Sequence, residues 1–68
     1  MRFFIHIPST NERIPVEVQD LAGVFQFARS LNLFSRIFRV IQYEGETVAS
    51  MDNYRWSPSD NKFVDPYA

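Results

Sequence analysis

The sequence predicts a two-layer α+β domain, a mostly antiparallel sheet of four to six short strands with one helix packed on one face. Three observations predict it. Residues 2–7 and 13–18 alternate apolar and polar side chains on either side of a turn cluster. Behind Asp20, apolar residues recur at helical spacing as far as Leu31. From residue 35 onward, strand-like runs alternate with turn sequences. The expected order is β-β-α-β-β, with a further short strand near the end.

In the first strand Phe3, Ile5 and Ile7 share one face, and Arg2, Phe4 and His6 share the other. "PSTNE" (8–12) turns the chain back. The second strand sends Ile14, Val16 and Val18 inward and Arg13, Pro15 and Glu17 outward. Pro15 has no amide hydrogen to give a ladder, so this strand belongs at a sheet edge. Asp20 is placed to cap a helix, its carboxylate accepting from the free amides of the first turn. Leu21, Val24, Phe25, Ala28 and Leu31 form one broad apolar face, with Phe27 at its margin. Asn32 suits the left-handed residue that ends a helix, with Leu33 folding back over the last turn.

A third strand is expected over 35–43, and Glu44-Gly45 turns it into a fourth, about 47–51. Tyr54-Arg55-Trp56 and Lys62-Phe63-Val64 flank "SPSDN", so a final short hairpin follows, and 65–68 reads as a tail. The opening of this order resembles the β-grasp layout. No motif accompanies that resemblance, and no function is carried over from it.

With 68 residues the expectation is one domain over 1–68. A chain of this length buries only about 60% of its unfolded surface, so its stability margin is thin. Cysteine is absent, which removes disulfides and thiol chemistry, and seven Phe must supply much of the core. Residues 1–7 are too short and interrupted for a signal peptide, and no stretch approaches the length of a membrane span. A cytoplasmic protein with no membrane contact is expected.

An enzyme is not. His6 is the only histidine, so any imidazole acid–base pair would have to be built on it. "DNYRWSPSDN" (52–61) lacks the acidic spacing and glycine of a calcium loop. With only Gly23 and Gly45, no glycine-rich phosphate loop can be written. No metal or other cofactor is expected.

Charge is uneven along the chain although the net value is only −1. No acid stands between Asp20 and Glu44, where Arg29, Arg36 and Arg39 alternate with Phe27, Phe34, Phe38 and Tyr43; five acids follow from Glu44 onward. An Arg/aromatic segment over 29–43 could neutralise phosphates and stack bases. Against this, Arg36 and Arg39 are an odd number of residues apart and take opposite faces of a regular strand. Pairing of these arginines with acids on neighbouring strands is the plainer use for them.

One helix shields one side of a sheet. Phe4 is left on the far side, with either Phe38 and Val40 or Ile37 and Ile41 beside it, and Tyr43, Tyr54 and Trp56 are candidates to join them. Exposed clusters of this kind mark interfaces, and the alternative is that the C-terminal hairpin folds back and covers the outer face. The leading expectation is therefore a non-enzymatic protein-binding module whose contact residues are Phe4, Arg36, Phe38, Arg39, Val40, Tyr43, Tyr54 and Trp56. Its partner would be a larger protein, or a second copy through a sheet face or edge. In size and style such a chain is similar to phage- or plasmid-encoded inhibitors, anti-CRISPR proteins among them, that block a host nucleic-acid-processing complex. A single-stranded nucleic-acid binder using 29–43 ranks second.

Overall fold

In the computed structural model, which describes residues 2–67, the chain forms β1 (Arg2–Ile7), β2 (Glu12–Val16), α1 (Leu21–Ser30), β3 (Phe38–Glu44), β4 (Thr47–Ser57) and β5 (Lys62–Val64). The strands form one sheet in the order β2-β1-β3-β4-β5, and every pairing is antiparallel. This is the predicted α+β class. β2 pairs only with β1, the edge position that Pro15 demands.

Left-handed residues sit at each turn. Asn11 (φ 57°) precedes β2, Gly45 (φ 64°) joins β3 to β4, and Asn61 (φ 53°) precedes β5. Asparagine and glycine tolerate that region best. The helix is closed at both ends by its own chemistry. Asp20 accepts a hydrogen bond from the Gly23 amide at 2.9 Å. At the other end Asn32 (φ 57°) donates to the Arg29 carbonyl, and Leu33 donates to that of Ala28. Together these bonds make a Schellman motif, which turns Leu33 into the core. Gly23 allows a close approach, since a Cβ there would stand 2.8 Å from Val18 Cβ.

The core lies between α1 and one face of the sheet. Register defines that face: Phe3 opposes Val16, while Ile5 is flanked by Ile14 on β2 and Val40 on β3. Val24, Ala28 and Leu33 close it from the helical side. Phe38 and Val40 are thus inside, 0% and 3% exposed, and not on the far side where the sequence reading offered them as contacts. The reason is long-range. Val40 must share the face of its partner Ile5, and Phe38 lies two residues away on the same strand.

β4 is longer than expected. It runs to Ser57, pairing with β3 over its first part and with β5 over 55–57. A bulge between Gln42 and Tyr43 leaves Ala49 without an opposing residue. Tyr54 opposes Phe38, so Tyr54 and Trp56 also take the helix side, which corrects their expected place on the far side. There they join an aromatic cluster. Phe63 packs 5.2 Å from Phe38 and 5.0 Å from Trp56 (ring centroids), and Phe25 lies 4.8 Å from Tyr54. Edge-to-face rings at such spacings are worth roughly 0.5–1.5 kcal/mol per pair beyond area burial. Burial, then the charges of Asp52 and Asp65, raise the Tyr54 phenol above its ordinary value.

Candidate binding face

The side of the sheet away from α1 is organised in rows that cross the strands. One row is apolar: Pro15, Phe4, Ile41 and Met51 oppose one another in turn on β2, β1, β3 and β4. Beside it runs a polar row, Arg13, His6, Arg39 and Asn53. On its other side stand Arg2, Tyr43 and Val48. Arg55 and Val64 extend the same face onto β4 and β5, and Lys62 shares the side of Val64.

The arginines lie over the rings. Arg2 places its guanidinium 5.8 Å from the Phe4 centroid and 5.4 Å from that of Tyr43, and Arg13 stands 5.8 Å from Phe4. These are cation–π distances, and each long stem covers apolar surface while its head stays wet. Phe4 and Tyr43 also meet edge to face at 5.5 Å. Beneath this layer Ile41 is only 3% exposed, whereas its β4 neighbour Met51 is 49% exposed. The far face is therefore partly covered by its own cations, not by the C-terminal hairpin.

The hydrogen-bond partners of these cations are neutral. Arg2 donates to the Gly45 carbonyl, Arg13 to the Tyr43 hydroxyl at 3.5 Å, and Arg39 Nε to Asn53 Oδ1 at 3.4 Å. That differs from the expected pairing with acids of neighbouring strands, and register explains it. Arg2, Arg13, Arg39, Arg55 and Lys62 all take the far side. The strand carboxylates Glu12, Glu44 and Asp52 all take the helix side, opposite Ile7, Thr47 and Val40 respectively. A net charge of −1 conceals a sheet with one cationic face.

Arg36 corrects a second expectation. Strand alternation would have set it opposite Arg39, but β3 begins only at Phe38, and 34–37 is irregular. Arg36 and Arg39 line the same cleft of about 590 Å³, together with Ile37, Asn53 and Tyr67. Of the residues expected to make contacts, Phe4, Arg39 and Tyr43 are brought together on the open face, and Arg36 borders it. Arg2, Arg13, Met51 and Tyr67 were missed. The alternation of residues 2–7 and 13–18 already carried the signal for the two arginines.

His6 lies in the polar row, its Nε2 3.2 Å from Asn11 Oδ1. Among the described residues no group of three potential metal ligands occurs, and no helix is long and apolar enough to cross a membrane. Comparison with protein-family models, curated proteins and solved structures finds no match to this chain.

Proposed function

We propose that the protein is a non-enzymatic module that binds single-stranded nucleic acid on the helix-free face of its sheet. One observation carries the reading: five strand cations stand on that face, and the strand carboxylates stand on the other. Concentration of basic residues on one surface is the electrostatic footprint of such binders. It is the feature the linear sequence had argued against. Phosphates would meet Arg2, Arg13, Arg39 and Arg55, while bases would lie on the exposed Met51 end of the apolar row and on guanidinium planes.

Exposed Val48 and Met51 favour a second reading, in which the same face docks on an acidic protein surface. That is the protein-binding role expected first from the sequence. A role as an inhibitor of a larger complex rests on size and architecture alone.

Salt separates these readings. Fluorescence anisotropy with a labelled oligothymidylate should show log K falling linearly with log salt, with a slope of about −3 for four phosphate contacts. Arg13→Ala and Arg55→Ala should each make that slope shallower by about 0.7. No binding to single strands at low salt would sink the proposal and leave the protein-docking reading.

A further inference from the structure

We propose that the cleft bordering this face is a nucleotide pocket, taking one phosphate on Arg36 and Arg39 and the attached base against Ile37 and Tyr67. The proposal rests on the single-strand reading and names the place where the strand is gripped most closely.

The cleft is assembled from distant parts of the chain: residues 35–37 before β3, Arg39 on β3, Asn53 on β4 and Tyr67 near the end. Its volume, about 590 Å³, falls within the usual range for small-ligand sites. Its two cations, Arg36 before β3 and Arg39 on β3, line the same cleft. Arg39 is oriented by its Nε bond to Asn53 Oδ1. Its two terminal amines form the part of the group suited to a phosphate fork. The same bond fixes which way the Asn53 amide points and turns its Nδ2 toward a different partner, such as an acceptor on a base edge.

The rest of the lining suits a base. Tyr67 is 76% exposed, and the turn that carries it is ordered by a 2.8 Å bond from its own amide to Asp65 Oδ1. Ile37 is an exposed apolar residue on the same cleft. An aromatic and an aliphatic side chain near two guanidiniums match the two halves of a nucleotide, where a simple anion site would need only the arginines. Arg39 and Asn53 also belong to the polar row, so a strand lying on the face runs directly into the cleft.

The test uses the full chain, labelled with ¹⁵N, titrated separately with thymidine monophosphate, inorganic phosphate and an oligothymidylate. Thymidine monophosphate should shift the Arg39 Nε, the Asn53 side-chain amide and the backbone amides of Arg36, Ile37 and Tyr67. Inorganic phosphate should shift the arginine signals and leave Tyr67 in place. Arg36→Ala and Tyr67→Ala, both at exposed positions, should each weaken oligothymidylate binding by roughly tenfold with an unchanged thermal midpoint. If the oligonucleotide binds but these variants lose less than about twofold, the pocket is refuted and the sheet face stands. If phosphate and thymidine monophosphate give identical shifts, the cleft is an anion site only. If no oligonucleotide binds at all, both readings fall together.

Discussion

Arg13 reaches Tyr43 across the ring of Phe4, although β1 separates the strands that carry the two residues. The contact spans three strands with one side chain. Arginine can do this because its stem is apolar and its head is a planar donor. The consequence is a far face sealed in part by charged residues, with Ile41 buried below them.

Removing the stem should therefore matter more than removing the charge. Arg13→Ala is expected to cost about 1 kcal/mol in urea-induced unfolding. Arg13→Met keeps an apolar stem of similar reach and should recover most of that loss. Equal losses in the two variants would show that the charge, not the cover, is what stabilises.

Phe38 and Ile37 adjoin in sequence and differ completely in environment. Phe38 is fully enclosed among Tyr54, Phe63 and the rest of the core, so Phe38→Ala should cost about 4 kcal/mol. A domain of 68 residues has only about 3–10 kcal/mol to lose. Circular dichroism should show that variant largely unfolded at ambient temperature or strongly destabilised. Ile37→Ala, on the surface, should stay within about 0.5 kcal/mol of the parent.

Gly23 runs against the usual gain from replacing a helical glycine. Alanine there would normally stabilise by about 1 kcal/mol. Here its Cβ would meet Val18 Cβ at 2.8 Å and both methyls within 3.3 Å, and Gly23 is already fixed by the Asp20 cap. Gly23→Ala should lower the thermal midpoint. In the Val18→Ala background the same change should do less harm or become favourable, giving a coupling that a double-mutant cycle would detect. A purely additive pair would place the clash elsewhere.

Tyr54 ties stability to alkaline pH. Its folded pKa lies above the ordinary value of 10.0, so the folded state holds the proton more tightly than the unfolded chain does. The associated stability is complete below about pH 10 and declines as pH rises from there through the folded pKa. Unfolding free energies measured across that range should fall in the parent. In Tyr54→Phe, which has no phenol, the corresponding slope should be absent.

Much of this architecture was legible in residue order. Alternation located β1 and β2, Pro15 located the edge, and Asp20 and Asn32 bounded the helix, because each of these is a local preference. Two features were not. β4 contains Asp52 and Asn53, residues with poor strand propensity, and reads locally as two pieces; pairing with Val40 and Arg39 overrides that preference. The inward side of β3 was equally hidden. Both of its faces carry apolar residues, and only pairing with β1, far away in sequence, decides between them. The candidate face suffered from the same gap. Its cations are spread over five strands, and no window of the sequence brings Arg2, Arg13, Arg39, Arg55 and Lys62 together.

Strand parity separates the sheet's cations from its carboxylates although the net charge of the chain is only −1. A uniformly acidic protein of this size would be turned away by a polyanion at every angle. On the proposed reading this one would be repelled in some orientations and drawn in when the arginine side leads, so that approach itself would select the docking pose. The same asymmetry reaches the chromatography bench. Near neutral pH the protein should be retained on a cation exchanger although its pI is about 5.6, and Arg13→Ala with Arg55→Ala should release it earlier in the salt gradient.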